Sequence, residues 1–366
     1  MQATATSTPL RLRLHSVAAR ACDVTFLEQG VVVEEFIKSS LINVKAPATG
    51  VVVIHNGHTV INDAFGLADV ENHVKAHPRS AFKLASITKH FTAFAILRLV
   101  ESGKIKLSDS LLEYFPEYDS LNPKITIENL LNHTSGIPGY TELTELFSPY
   151  EKIEATHEQM LSVFIDQPLL FEPGSSFGYS NSGYYLLGLI IERASGYTYE
   201  QCLKKEFFNP IGMHDTRYAS DKSIIPNRVR GYDTEQGGSI NTGLQNCEYI
   251  SMNPPYAAGG LCSTTTDMAK WLSALLAGRV LGSELMLKAC SPTKLKNGLA
   301  VEYGYGLNVG TKHGVKAVGH DGGIPGFASA FMMYPESNTA ILVLVNDERS
   351  DPWAIEDRIS SYILRK

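Results

Sequence analysis

The 366-residue sequence carries only five cysteines, Cys22, Cys202, Cys247, Cys262 and Cys290, and no Cys-x-x-Cys pair is among them. Scattered and odd in number, they argue against a zinc ribbon and against a disulfide framework, and they lean toward a reducing compartment. Long apolar runs are missing as well. The longest, Tyr184–Ile191 and Ala340–Val345, fall far short of the roughly 18–20 residues that a membrane helix requires. Nor is there an excess of basic residues: 32 Lys and Arg face 38 Asp and Glu, a net charge of −6, which leaves no electrostatic footprint for nucleic acid. The first 22 residues contain Arg11, Arg13 and Arg20 with no acidic residue, yet no continuous apolar h-region. That excludes the usual secretory pattern and points to a cytoplasmic protein, with an organellar transit peptide or a plain tail as other readings. No internal repeat and no low-complexity tract is present.

What remains is ordinary globular material. Hydrophobic residues make up 44% and charged residues 19%, enough for a sizeable core, and the length suggests about two domains. Residues 29–39 read as a short amphipathic helix after a flexible tail over 1–28. Val51–Ile54 and Thr59–Ile61 flank Asn56-Gly57, the strongest short hairpin signal. His55 and His58 beside that turn have no third ligand nearby, so they read as hairpin surface rather than a metal site. From about Leu107 to Leu285 the pattern is helical: Ile127–Leu131, Glu158–Ile165, Tyr184–Ala194, Tyr199–Phe208 and Thr266–Ala277. Strand-like alternation returns at Tyr305–Val309, Val315–Val318, Phe327–Tyr334 and Ala340–Val345, followed by a closing helix at Pro352–Leu364. These spans predict an α/β (α+β) fold. An antiparallel sheet built from both termini (29–106 and 286–366) carries an inserted, mostly helical part (107–285), with a site in the cleft between them.

Three clusters carry the chemistry. In Lys83–Gly103, Ser86 sits where a helix should begin and Lys89 lies one turn along the same face. A serine hydroxyl is a poor nucleophile until a base stands within hydrogen-bond reach, and a desolvated lysine amine can be that base. A helix start also adds an N–H and partial positive charge for an oxyanion. Taken alone, the pair reads rather as an N-cap and a surface charge, because a lone S-x-x-K occurs often by chance. The second cluster is Glu172–Gly183, a loop before the Tyr184 helix. Tyr179 could shuttle a proton, and Asn181 could orient the substrate amide or the lysine. The third is Val318–Phe327, where glycines between two predicted strands suggest close approach of a backbone or ligand. There the N–H of Gly323 could complete an oxyanion hole with that of Ser86, and His320 would present a titratable donor to the cleft.

Together Ser86-Ile87-Thr88-Lys89, Tyr179-Ser180-Asn181 and His320-Asp321-Gly322 resemble the S-x-x-K, Y-x-N and H-x-G elements of the serine β-lactamase and penicillin-binding-protein superfamily, in its class C-like, peptidase S12-type branch. Leu130–Pro138 resembles that family's LLxHTSG loop, and Gly259–Thr264 its GGLxST segment. The resemblance runs from about Pro47 to the end. It implies acyl transfer without metal or organic cofactor. Ser86, activated by Lys89 and Tyr179, attacks a carbonyl, and the oxyanion is held by the N–H groups of Ser86 and Gly323, next to Gly322 of the third motif. His320 stands where lactamases and DD-peptidases usually have a lysine. A mostly neutral imidazole attracts a substrate carboxylate less than an ammonium does. That favours small esters, amides or D-amino-acid peptides over efficient β-lactam hydrolysis. Three rivals remain at this level: a biosynthetic acyltransferase using the same acyl-enzyme, a non-catalytic scaffold or sensor, and an α/β-hydrolase with Ser176 in Gly174-x-Ser176-x-Gly178 as nucleophile. The expected partner is a small ester, amide or peptide substrate.

Overall fold

The computed structural model describes residues 35–36, 46–118, 122–239 and 242–365. The expected tail over 1–28 lies outside them, and of the expected helix over 29–39 only Glu35 and Phe36, both helical, lie inside. Residues Val44–Lys366 form one compact unit.

The strands in chain order are β1 (Ala48–His55), β2 (His58–Asp69), β3 (Val74–Lys75), β4 (Phe82–Lys83), β5 (Arg217–Tyr218), β6 (Tyr232–Ser239), β7 (Thr242–Asn246), β8 (Leu261–Ser263), β9 (Thr293–Lys294), β10 (Ala300–Val301), β11 (Asn308–Lys312), β12 (Val315–Ile324), β13 (Phe327–Tyr334) and β14 (Thr339–Val345). Seven of them make one antiparallel sheet in the order β11-β12-β13-β14-β1-β2-β3. Strands from the early part (β1–β3) and from the late part (β11–β14) of the described residues therefore share one sheet, as the sequence predicts. At the β1–β2 hairpin Asn56 and Gly57 both take positive φ, 51° and 79°, the backbone that a tight hairpin turn demands.

β1, β13 and β14 are buried along nearly their whole length, so each must cover two faces, and the period-2 alternation shows how. Val52, Ile54, Phe331, Met333, Ala340, Leu342 and Leu344 share one face and belong to the main apolar core. Residues of opposite parity, such as Val51, Val53 and Val343, face the other way, where the C-terminal helix packs against β13 and β14.

The main helices are α1 (Thr88–Glu101), α2 (Leu111–Tyr114), α3 (Ile127–Leu131), α4 (Thr144–Glu151), α5 (His157–Phe164), α6 (Asn181–Ser195), α7 (Tyr199–Leu203), α8 (Tyr256–Gly259), α9 (Thr265–Leu276), α10 (Ser283–Ala289) and α11 (Pro352–Leu364). α1 is buried on almost every side, including Lys89, His90 and Thr92, the signature of a central core helix rather than an amphipathic surface one. Four expectations shift. The middle of the chain is not purely helical, because β4, β8 and β5 form a small sheet and β6–β7 a hairpin. The helix expected from Tyr184 begins at Asn181, since the Ser180 hydroxyl accepts from the Gly183 N–H and caps it there. The helix expected over Tyr199–Phe208 changes to a π-turn at Lys204. β11 starts at Asn308 rather than Tyr305, because Gly306 (φ 68°) turns the chain where an added Cβ would lie 2.8 Å from the Lys89 carbonyl oxygen.

Beneath α1 the Trp271 indole N–H donates to His90 Nε2 at 2.7 Å, both side chains being fully buried. The imidazole proton then sits on Nδ1, which finds no hydrogen-bond partner among the described residues, and burial lowers its pKa to about 3. An unfolded histidine titrates near 6.5, so the stability held by neutral His90 is present above that value and is lost as pH falls toward 3. The loss amounts to roughly 3–5 kcal/mol across the window. In His90→Gln, whose amide oxygen can still accept from Trp271, the urea midpoint should fall less between pH 6.5 and 4.5 than in the wild type. Parallel pH dependences of the two proteins would refute this assignment.

Candidate active site

The position of Ser86 follows from a strained turn. Ala85 adopts φ 49°, a left-handed conformation that costs a non-glycine residue about 1 kcal/mol. It begins the 3₁₀ turn Ala85–Ile87, which runs directly into α1. Ser86 thus stands on the turn and Lys89 in the first turn of the helix.

Lys89 has no exposed surface. Its Nζ lies 2.7 Å from Asn181 Oδ1, 2.8 Å from the Ala258 carbonyl oxygen and 3.0 Å from Ser86 Oγ. Desolvation lowers its pKa from 10.5 to about 7, opposed by the more distant charges of Asp321 and Glu142. This arrangement suits a neutral amine. Its two N–H bonds go to the fixed oxygens of Asn181 and Ala258, and its lone pair is left for the Ser86 hydroxyl proton.

Tyr179 completes the group. Its ring lies 4.7 Å from Lys89 Nζ, and its hydroxyl hydrogen-bonds Ser86. Although 37% of the residue is exposed, the phenol group is enclosed, and burial pushes its pKa well above 10 despite the opposing bond to Ser86. It is therefore a proton donor at neutral pH. The Asn181 amide, which faces Lys89 through its oxygen, donates through Nδ2 to Thr141 Oγ1 at 3.1 Å, and that hydroxyl donates to Glu142 at 3.0 Å. Thr141 and the Ala258 carbonyl were not legible in the sequence, because their roles arise from contacts that no local spacing encodes.

The glycine-rich stretch is not a loop between strands but the second half of β12. β12 pairs with β11 only as far as Gly319, so one edge of residues 320–324 has no strand partner among the described residues. A Cβ on Gly322 would lie 2.8 Å from Ser86 N and 2.5 Å from the Leu84 carbonyl oxygen, whereas one on Gly323 would meet nothing within 4 Å. Gly323 lines an open cavity of about 180 Å³ together with Ser86, Asn181, Phe147, Ile250, Ile324 and Glu151. No lysine or arginine lines that cavity. A larger cavity, about 410 Å³, lies around Tyr256 and Glu192 and contains none of Ser86, Lys89 or Tyr179.

His320 is placed differently from the expected donor to the cleft. It is 3% exposed, and it does not line the cavity. Its Nδ1 lies 2.5 Å from the Asp321 carbonyl oxygen and its Nε2 3.0 Å from the Tyr303 hydroxyl. Burial, together with the charge of Lys89, lowers its pKa to about 4. Ser176 sits on an irregular segment with no strand before it, and the main sheet is antiparallel throughout, so the elbow of an α/β-hydrolase is not formed. Among the described residues no group of three or more His, Cys, Asp or Glu could hold a metal ion, and no helix is long and apolar enough to cross a membrane.

A large antiparallel sheet flanked by helices, with a buried lysine beside a serine at the start of the core helix, defines a class of serine hydrolases. The family model described as Beta-lactamase matches residues 33–360, and the chain belongs to that family. Penicillin-binding protein 4* of Bacillus subtilis is 29% identical over 81% of this chain and 68% of its own length. Protein flp of Staphylococcus aureus is 27% identical over 86% and 62%. The chain thus spans about two thirds of the length of these curated relatives. Among solved structures, the D-amino acid amidase of Ochrobactrum anthropi SV3, complexed with L-phenylalanine amide, superposes with a TM-score of 0.79 at 25% identity, covering 91% of this chain and 99% of that one. The octameric penicillin-binding protein homologue of Pyrococcus abyssi superposes with a TM-score of 0.73 at 28% identity, covering 91% and 76%.

Gly322→Ala tests the contact between β12 and the Ser86 turn. The new methyl would press on backbone atoms that cannot rotate away. Ester turnover should fall by about a hundredfold or more, while circular dichroism stays native. Full turnover in a folded variant would show that β12 does not bear on the Ser86 turn.

Proposed function

We propose that this protein is a serine hydrolase that forms an acyl-enzyme on Ser86 and acts on small esters, amides or D-amino-acid derivatives. The observation that carries this reading is the buried Lys89 amine, with two N–H bonds engaged and its third direction aimed at Ser86 Oγ. On this reading neutral Lys89 takes the Ser86 proton as the oxygen attacks the substrate carbonyl. Tyr179, held as a neutral phenol, gives a proton to the leaving group, and the proton that Lys89 took from Ser86 restores the phenol and returns the amine to its neutral form. The N–H groups of Ser86 and Gly323 would stabilise the oxyanion. Water then attacks the ester carbonyl of the acyl-enzyme, and Lys89 serves as base in reverse order. The division into a sheet part (29–106 and 286–366) and a helical part (107–285) belongs to this proposal, with the cleft between them.

The cavity supports a substrate class. Phe147, Ile250 and Ile324 offer a small apolar wall, Glu151 supplies a carboxylate, and no cation answers it. An acyl group bearing a free ammonium suits that lining, and a carboxylate beside the scissile bond does not. An amino-acid amide or ester has this charge pattern, in line with the amidase among the structural neighbours.

A fluorophosphonate should label Ser86 alone, and Ser86→Ala should lose at least about a thousandfold in p-nitrophenyl ester turnover. An adduct on Ser176 would overturn the assignment, and the absence of both adduct and turnover would favour a scaffold or sensor. Because the base must be unprotonated, kcat/KM should be high above pH 7 and fall tenfold per pH unit below it. A flat profile between pH 5.5 and 8 would remove Lys89 from that role. For substrate class, a D-amino-acid p-nitroanilide should outrun its N-acetylated counterpart by about tenfold, and Glu151→Gln should abolish the preference. Equal rates in the wild type would discard the ammonium reading while leaving the acyl-enzyme intact.

A further inference from the structure

Two motifs that lie far apart in the sequence are joined by one chain of hydrogen bonds. The Ser180 backbone N–H, next to Tyr179, reaches His133 Nδ1 at 3.1 Å. His133 Nε2 lies 3.2 Å from the Tyr303 hydroxyl, which lies 3.0 Å from His320 Nε2, and His320 Nδ1 meets the Asp321 carbonyl oxygen. Both ends of this chain are backbone groups whose polarity is fixed. An N–H can only donate, so His133 Nδ1 is an acceptor and its proton is on Nε2. A carbonyl can only accept, so His320 carries its proton on Nδ1 and its Nε2 is an acceptor. Between the rings Tyr303 must accept from His133 and donate to His320. Tyr184 also reaches Tyr303, but its own proton goes to the Leu131 carbonyl at 2.6 Å, so it can act there only as a second acceptor for the Tyr303 proton, which the 3.0 Å contact assigns to His320 Nε2.

We propose that Tyr303, with His133, is a positioning residue that locks His320 as a neutral imidazole and ties the His320–Gly323 strand to the Tyr179 loop as one unit. On this assignment His320 exchanges no proton with substrate, because both ring nitrogens are occupied inside the protein. His133, Tyr303 and His320 are all buried, so no water is needed to complete the chain. His133 also stacks on Tyr179, with ring centroids 4.4 Å apart. The chain thus sets the ring of the proposed acid on one side and the strand of the proposed oxyanion N–H on the other. The titratable groups around His320 point the same way. Lys89 and His90 come from α1, Tyr179 from the loop before α6, Tyr303 from the segment before β11, and Asp321 from β12 itself. A proton added to His320 would displace the one received from Tyr303 and place a cation beside Lys89.

This inference rests on the serine hydrolase reading for its consequence in turnover, but not for its geometry. The test uses the full chain labelled with ¹⁵N-histidine, with long-range ¹H–¹⁵N spectra recorded between pH 5 and 8 and signals assigned through His320→Gln and His133→Gln. His320 should show the neutral Nδ1–H tautomer and His133 the neutral Nε2–H tautomer throughout that range. In Tyr303→Phe, His320 Nε2 loses its donor, so the signal should move toward the cation or the other tautomer at the acid end. kcat should fall about tenfold in that variant with KM within twofold. A wild-type His320 that titrates near pH 6.5, or that carries its proton on Nε2, would overturn the proposal even if Tyr303→Phe failed to fold. An unchanged His320 spectrum in a folded Tyr303→Phe would overturn it as well. Absence of ester turnover in the wild type, with the expected tautomers present, would defeat the hydrolase reading and leave this one standing.

Discussion

A lysine amine held out of water is the constraint on which the rest of this structure depends. With no exposed surface, Lys89 must either find carboxylates close by or give up its proton. The surroundings supply instead an amide oxygen, a carbonyl oxygen and a serine hydroxyl. An ammonium in that pocket would gain three neutral acceptors but lose bulk hydration, and the balance brings its pKa to about 7. At neutral pH the fold therefore carries an energetic cost on the order of 5 kcal/mol relative to a solvated lysine. Such a cost persists only where many other contacts over-determine the local structure. α1, buried on nearly every side, and the strained turn at Ala85 that leads into it fit that description.

The sheet serves the same end. A serine on a helix start, if it is to act as the proposed nucleophile, needs an opposing surface that can approach within van der Waals contact of its backbone, and side chains would obstruct it. Gly322 lets β12 lie against Leu84 and Ser86, and Gly323 leaves space in the cavity beyond. Ser329, opposite Gly322 on β13, donates from its hydroxyl to the Leu84 carbonyl at 2.9 Å and pins the turn from the same face. The antiparallel pairing of β12 with β13 thus sets the distance between the two backbone segments proposed to hold an oxyanion.

Much of this arrangement was legible in the sequence, where the signal was local. Ser86 and Lys89 are one helical turn apart, Tyr179 and Asn181 two residues apart, and Asn56-Gly57 a two-residue turn. Each is a short spacing that backbone geometry converts directly into proximity. The large sheet and the helices around it followed from periodicity. What escaped was of two kinds. Boundaries shifted where a single group decides them, as with the Ser180 cap on α6 or the Gly306 turn before β11. Partners went unseen where only the tertiary fold creates them. Thr141 behind Asn181, the Ala258 carbonyl on Lys89 and Tyr303 on His320 have no spacing that marks them. His320 could be read as a departure from the usual lysine, but its orientation could not, because that depends on which groups occupy its two nitrogens.

That departure shapes the electrostatics of the whole cleft. A lysine at position 320 would place a second ammonium next to Lys89, and like charges in a poorly solvated site drive each other's pKa down. With a neutral imidazole there, the state of Lys89 is set by burial alone, moderated by the negative charges of Asp321 and Glu142. On the proposed reading no cation greets a substrate carboxylate: the imidazole is buried away from the cavity, and of the charged side chains the lining offers only Glu151. On that reading, charge selection and base strength come from one choice of residue. A site whose amine titrates near pH 7 without a neighbouring cation is, on the proposed reading, also one whose field favours a positively charged acyl group over a negative one.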